Sequence, residues 1–531
     1  MSLNLALIVE NGRRMFADEI ALIHPDRTMT YGELSDRVRR FAWALRESGV
    51  RPGDKVGLMI PNRPEFTIAY FGILYAGGVV VPLNILLVAD EVAYTLTDSD
   101  AVAIVVWTPL EAGIRGFERV PACKQLFVAG AGPDAGLPSG AIRFEDAIAE
   151  PSEISNPKSQ ISEMAQTMPD DTAVILYTSG TTGKPKGAEL THFNLYLNAL
   201  CVSERQFTRW PWQVEVFGPG HRGLACLPLY HSFGQTAMQN GMLFGGAATR
   251  YMERFDGEAA LAAIQTDRIT FFAGVPTMFF AILAVPDGSK RFDTSSLRFC
   301  VSGGAALPVE VKRKFEDRFR LKIQEAYGLS ETSPLACSQE VDRTEKAGSI
   351  GRPMWGIEMM IGDDSENIKS QSSNLKPAPI GQPGEVLIRG HNIMKGYYKR
   401  PDATAEAMRG GWFHSGDIGT MDADGDFAIV DRKKDMIIRG GFNVYPREVE
   451  EVLYQHPAVR EAAVVGVPDE KYGEEVKAVV ALHPGRAITP EEIIAFCKEH
   501  LAAFKYPRIV QIIESLPKGP TGKILRRELR T

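Results

Sequence analysis

Short, unbroken apolar runs that alternate with helix signals constrain this chain most. "DKVGLMI" (54–60), "VAIVVW" (102–107) and "TAVIL" (172–176) each read as a buried strand. Between such runs stand helix openings, for example Thr30-Tyr31-Gly32-Glu33, where Thr and Glu three apart match a capping box. The alternation runs through most of the chain and predicts an α/β fold. With 531 residues the chain exceeds one ordinary domain, so two or more domains are expected. The most apolar stretch, 66–88, is broken by Gly77-Gly78, Pro82 and Asn84. It predicts a helix followed by a short strand and no integral membrane segment, because its unbroken runs fall short of ~20 residues.

The charge is −7, which gives no general attraction for nucleic acid or a membrane surface. Any anionic ligand must then be held by local lysines and helix ends. Six scattered cysteines without a CxxC pair support neither a disulfide framework nor a zinc site. Together with an N-terminal stretch that lacks a signal-peptide pattern, they set the expectation of a cytoplasmic protein.

Two stretches, 130–140 and 363–384, read as surface loops, rich in Gly, Pro, Ser and charge. The alternating segments "GEVLIRG" and "GDFAIVDR" suggest a small β-rich subdomain after the second. The best boundary is "DRKKDMIIRGG" (431–441), which is charged, then apolar, then diglycine. Beyond it lies a unit of domain size. It contains a helix in "YPREVEEVLYQHP", strands in "EAAVVGV", "VKAVVAL" and "RIVQII", and a helix in "ITPEEIIAFCKEHL" capped by Thr489 and Glu492. "KILRREL" near the end reads as a basic C-terminal helix, and Gly440-Gly441 as a turn before a helix.

The strand 172–176 runs straight into "YTSGTTGKPKGAELTH" (177–192), dense in hydroxyls, glycines and lysines. Glycines let backbone N–H groups approach phosphate oxygens, hydroxyls add donors, and lysines neutralise charge. The spacing is not that of a Walker A loop, since no Ser or Thr follows Lys184.

This stretch resembles the signature of the adenylate-forming (ANL) superfamily, which includes the acyl- and aryl-CoA synthetases. Further segments match in the family's order: "LPLYHSFG" (227–234), "GVPTM" (274–278), "SGGAAL" (302–307), "YGLSET" (327–332), "GWFHSGD" (411–417), "DRKKDMIIRGGFNVYPREVE" (431–450) and "GPTGKILRR" (519–527). The resemblance covers nearly the whole chain and points to the long-chain fatty acid–CoA ligase type. It implies a large N-terminal domain (1–431) of two α/β subdomains and a β-rich one, a hinge (432–436), and a mobile α+β C-terminal domain (437–531).

The resemblance also implies roles. ATP or AMP would meet Thr178, Ser179, Gly180, Thr181, Thr182, Gly183, Lys184 and Lys186, with the lysines at the β- and γ-phosphates. Tyr327 would stack on adenine opposite Gly304-Ala305, beside Gly328. Thr332 would contact the α-phosphate, Asp417 the ribose hydroxyls and Arg432 the same sugar. Glu331 would hold Mg²⁺, which prefers oxygen ligands. Lys523 would be the catalytic lysine, its charge placed where carboxylate and α-phosphate converge. His231, Phe233, Val275, Met278, Gly303, Gly328 and Pro334 would line the acyl site, with His231 as a water gate or a packed histidine. Gly440, Gly441 and Phe442 would flank the path of CoA, and Lys434 would be the hinge. The expected activity is ATP-dependent ligation of an apolar small-molecule carboxylic acid to CoA through an acyl-AMP, in a chain that, like many relatives, can form a homodimer. A fatty acyl-AMP ligase serving a carrier protein and a non-catalytic binder on the same fold are the rival readings. The intact Lys523, Asp417 and Glu331 weigh against the second.

Overall fold

The computed structural model describes residues 2–149, 163–178, 184–203, 217–340, 346, 348–363, 375–519 and 522–530. The buried runs are strands. Val79–Pro82, Lys55–Met59, Ala101–Trp107 and Gln125–Ala129 lie parallel beside Thr172–Thr178. Lys186–Thr191 pairs antiparallel on the other side of Thr172–Thr178, and Gly396–Tyr397 closes that edge. The stretch 66–88 splits as its glycines predict. Pro64–Tyr75 is a helix whose twelve residues are all buried, and Val79–Pro82 is the strand after it. A helix apolar on every face needs cover on every side, and here protein supplies it. Among the described residues no helix is long and apolar enough to cross a membrane.

A second sheet starts from parallel strands that include Arg222–Ala225, Phe271–Gly274, Phe299–Ser302 and Ile323–Gly328. It then turns antiparallel through Leu335–Ser338, Ser349–Pro353, Phe427–Arg432, Phe413–Met421, Gly384–Gly390 and Ile357–Gly362. The β-rich segment expected as a subdomain is thus hydrogen-bonded onto the α/β sheet. One hydrophobic core runs under both sheets, from Leu5 to Phe427.

The C-terminal unit has its own five-stranded sheet and its own core around Val449, Leu453, Val464, Val476, Ile493 and Cys497. Pro446–Gln455 and Pro490–His500 are its helices, the latter with the Thr489–Glu492 capping box in place. Two local expectations are corrected. "KILRREL" gives only a short 3₁₀ turn, Arg526–Leu529, because Arg526 is drawn into ion pairs with the rest of the molecule. Gly440-Gly441 is the tip of a hairpin between Ile437–Arg439 and Phe442–Val444, so a strand separates it from the helix. Both glycines have positive φ, +57° and +83°, as a tight hairpin with right-twisted strands requires. The loop 130–140 carries no strand or helix, and most of 363–384 lies outside the described residues.

Candidate active site

The site forms where the ends of both large sheets face the last residues of the C-terminal unit. Thr178 ends its strand, and the following Ser179, Gly180, Thr181, Thr182 and Gly183 lie outside the described residues. Lys184 and Lys186 reappear on the far side, each over an aromatic ring. The Lys184 Nζ stands 5.1 Å from the Tyr94 centroid, and the Lys186 Nζ 5.3 Å from that of Tyr397. Such placement holds a lysine without neutralising it, leaving its charge for an anion.

Tyr327 and Gly328 close the strand Ile323–Gly328. Glycine at 328 is compulsory, since a Cβ there would fall 1.7 Å from the Pro334 carbonyl oxygen. The Tyr327 hydroxyl donates to Asp417 Oδ2 at 2.7 Å, and Arg432 Nε pairs with Asp417 Oδ1 at 3.1 Å. Asp417 is only 4% exposed. Burial raises its pKa, with Arg432 and the Tyr327 hydrogen bond pulling the other way. Tyr327 itself is pushed far above the usual phenol range by burial and by the Asp417 charge, so it stays a donor.

Glu331 accepts a hydrogen bond from the Tyr397 hydroxyl at 2.9 Å, and its backbone carbonyl accepts from Met394 N–H. A carboxylate so fixed, near Lys523, offers the hard oxygen donor that Mg²⁺ takes alongside phosphate and water. Thr332 is fully buried, and its hydroxyl closes its own turn. It accepts from Leu329 N–H at 2.8 Å and lies within hydrogen-bond reach of the Leu329 and Pro334 carbonyls. Its position shapes the loop that carries Glu331.

Lys523 comes from the other body. A Cβ built on Gly304 would lie 3.4 Å from Lys523 Cε and 3.9 Å from its Nζ, so the lysine runs over that glycine. Gly304 has φ +79° and is exposed, as is Ala305. The Lys523 pKa is lowered to about 8, first by burial and then by Arg432, against the pull of Asp417 and Glu331. The loop is docked by Thr277, whose hydroxyl donates to the Gly522 carbonyl at 3.4 Å. Pro520 and Thr521 of the same motif lie outside the described residues.

His231 is held neutral, its pKa driven down to about 3 by burial and by Lys523. After it, Gly234–Asn240 forms a π-helical segment, a wide turn often found at functional sites. An apolar cavity opens behind it. Phe233 and Pro334 line this cavity with Thr236, Ala237, Val301 and Leu335, and Arg352 and Trp355 stand among its other walls. Gly303 keeps its shape, since a Cβ there would press on the Phe233 ring at 3.1 Å. Val275 stands elsewhere, between Gly304 and Gly522, where it packs beneath the Lys523 loop, and Met278 packs on Cys226.

Lys434 lies in the turn that links Phe427–Arg432 to Ile437–Arg439, where the chain passes from one sheet to the other. Phe442 is exposed and stacks on Phe504 at 4.8 Å. Several residues of the junction carry no signal in the sequence that separates them from surface charge. Asp431 accepts from the N–H groups of Arg432 and Arg447, and Arg526 bridges it to Glu450. Thr277, Tyr397 and Glu385 likewise carry no such signal, save that Tyr397 belongs to an aromatic pair beside lysines, "KGYYK".

Comparison with known proteins identifies the family. Residues 9–398 match the model of the AMP-binding enzyme family, and 448–523 match its C-terminal domain. A long-chain-fatty-acid–CoA ligase of Bacillus subtilis is 35% identical over 541 residues, spanning 99% of this chain and 94% of that protein. A feruloyl-CoA synthase of an Amycolatopsis species is 38% identical over 518 residues, spanning 97% and 96%. Among solved structures, an anthranilate CoA ligase in complex with anthranoyl-AMP superposes with a TM-score of 0.87 at 31% identity, covering 100% of this chain and 97% of that one. A benzoate CoA ligase of Burkholderia xenovorans gives 0.85 at 31%, covering 99% and 100%. By sequence and fold, the chain belongs to the AMP-binding enzymes of the adenylate-forming superfamily, as an acid–thiol ligase of the acyl-CoA synthetase type.

Proposed function

We propose that the enzyme joins an apolar carboxylic acid to CoA in two steps. The acid's carboxylate first attacks the α-phosphorus of ATP, forming acyl-AMP and releasing diphosphate. The CoA thiol then attacks the acyl carbon, and AMP leaves. A free carboxylate is a poor electrophile, and the mixed anhydride supplies the leaving group it lacks.

The observation that carries this reading is the arrival of Lys523, from the small body, at the Asp417–Arg432–Glu331 cluster of the large one. The first step drives two anions together, and a fixed positive charge at their meeting point stabilises the transition state more than the separated substrates. Asp417 would receive the ribose hydroxyls, Tyr327 and Gly304-Ala305 the adenine, and Lys184 and Lys186 the outer phosphates. Mg²⁺ at Glu331 would screen the phosphate charge when bound. Phe233, in the cavity wall, would stand at the acid's entry, and neutral His231, which accepts from the Phe233 N–H, would back it against water. Rotation about Lys434 would withdraw Lys523 and bring Gly440, Gly441 and Phe442 to the site, where hydrogen side chains at 440 and 441 leave room for a slender thiol arm.

The apolar walls Phe233, Ala237, Val301 and Leu335 favour a hydrophobic acid. Relatives named for long-chain fatty, feruloyl and benzoate acids support aliphatic and aryl candidates alike. The test is pyrophosphate release over a panel of alkanoic, benzoic and cinnamic acids, with and without CoA. Release with an apolar acid, and thioester formed only when CoA is present, is the expected result. Release with no acid on the panel, or acyl-AMP that CoA never consumes, would overturn the reading.

A further inference from the structure

Asp417 owes its position to an irregularity in the sheet. Gly384–Gly390 pairs with Phe413–Met421, Glu385 opposite Ile418 and Leu387 opposite His414. Only Val386 lies between the first two partners, whereas Ser415, Gly416 and Asp417 lie between the second two. The strand therefore bulges by two residues. Bulges re-aim side chains at the price of ladder hydrogen bonds, so the freed backbone groups need other partners.

Those partners are present. Ser415 Oγ donates to the Val386 carbonyl at 2.7 Å and accepts from Asp417 N–H at 3.1 Å. The Gly416 carbonyl accepts from Lys433 N–H at 2.9 Å. Gly416 itself, at φ +71°, donates its N–H to Glu385 Oε1 at 3.1 Å. Glu385 is 7% exposed, and its other oxygen meets Lys433 Nζ and His414 Nδ1, each at 3.2 Å. One buried carboxylate thus grips the bulge directly before Asp417 and the turn that contains Lys434.

We infer that Glu385 is a positioning residue, which clamps the Ser415–Asp417 bulge so that the Asp417 carboxylate stands ready for the ribose and ties that bulge to the hinge turn through Lys433. The inference rests on the nucleotide role proposed for Asp417. Glu385 touches no substrate in this scheme and acts only through its neighbour. Its pKa, held down at about 2 by His414 and Lys433 against burial, keeps it ionised at working pH.

The test compares kcat/KM for ATP and for 2′-deoxy-ATP in pyrophosphate release. It uses the wild type, Asp417→Ala, Glu385→Gln, Glu385→Ala and the Glu385→Ala/Asp417→Ala double variant. Glu385→Ala should lower kcat/KM for ATP by roughly tenfold or more, the scale of a lost charge-assisted hydrogen bond, and bring the ATP preference toward that of Asp417→Ala. Glu385→Gln keeps an acceptor for Gly416 N–H and should lose less of the preference. In the Asp417→Ala background the Glu385 change should move the ratio by less than about twofold, because coupled residues are not additive. Wild-type preference in folded Glu385→Gln and Glu385→Ala, while Asp417→Ala loses it, would overturn the inference alone. Full additivity in the double variant would do the same. Wild-type preference in Asp417→Ala would overturn the nucleotide reading and the inference with it. Should Glu385→Ala fail to fold, a loss of preference in Glu385→Gln supports the inference and an unchanged preference overturns it.

Discussion

The large body and the small one make one site by different means. In the large body, Tyr327, Glu331 and Asp417 stand on strands and loops continuous with a core that runs from residue 5 to residue 427. In the small body Lys523 stands on a short loop above a separate core. Among the described residues, the two are joined by polar contacts: the Asp431–Arg526–Glu450 bridge, Arg447 on the Ile429 carbonyl, Val309 N–H on Glu451, and Thr277 on Gly522. Phe280 against Tyr454, at 5.8 Å, is an aromatic contact across the seam. An apolar core cannot be parted without exposing its surface to water, whereas polar groups parted from one another find water as a substitute. The difference teaches that the Asp417 cluster rests on a core that cannot part, whereas Lys523 is held over it by polar contacts that water can replace.

Substitutions on either side of the seam should then differ in kind. The largest effect is expected at Lys523→Ala. Adenylation should fall by roughly 10²–10³-fold, the scale of removing a preorganised charge from a transition state, while thioester formation from supplied acyl-AMP persists. Equal loss of both half-reactions in a folded variant would mean that the lysine serves the site as a whole.

Asp417→Ala acts on the large-body side and should impair both steps that hold the nucleotide. Its ATP affinity should drop by about 1.5–3 kcal/mol, the range for a hydrogen bond to a charged group, as read by calorimetry against 2′-deoxy-ATP. A loss equal for both nucleotides would detach Asp417 from the ribose.

Lys434→Pro addresses the seam itself. Proline fixes φ near −65° and lacks a donor, so one of the two arrangements proposed for the catalytic cycle should be lost. The present arrangement already has Lys523 over the site, and adenylation should survive it better. Rapid-quench single turnovers should show acyl-AMP accumulating and CoA consumed about tenfold more slowly. Wild-type rates in both half-reactions would place the pivot elsewhere.

The mildest effect concerns pH. Lysine is charged below its pKa, and Lys523 is held down to about 8. The kcat/KM for acid and ATP should fall as pH rises through about 8, by up to about tenfold per unit. Thioester formation from supplied acyl-AMP should not show that limb. His231, neutral above about 3, adds no limb near neutrality. A basic limb of the same midpoint in both half-reactions would assign it to another group, CoA's own thiol included.

Much of this was legible in the sequence, and the reason is local. Strands at 55–59, 101–107 and 172–178 follow from uninterrupted apolar side chains, and both capping boxes follow from hydroxyl and carboxylate residues three apart. Lys523, Asp417 and Glu331 stand out for another reason: each lies in a long motif that carries the resemblance, and the roles proposed for them come with it. What the sequence could not show was partnership across distance. Glu385 reads as an ordinary strand carboxylate, yet it meets residues 29, 31 and 48 positions away. Arg526 reads as part of a basic helix, yet Asp431 and Glu450 hold it in a 3₁₀ turn. Local sequence determines which elements form, because backbone hydrogen bonding and side-chain periodicity act over a few residues. Only the tertiary structure decided which bulge aims Asp417 and which charges close the seam, because those choices depend on groups that folding alone brings together.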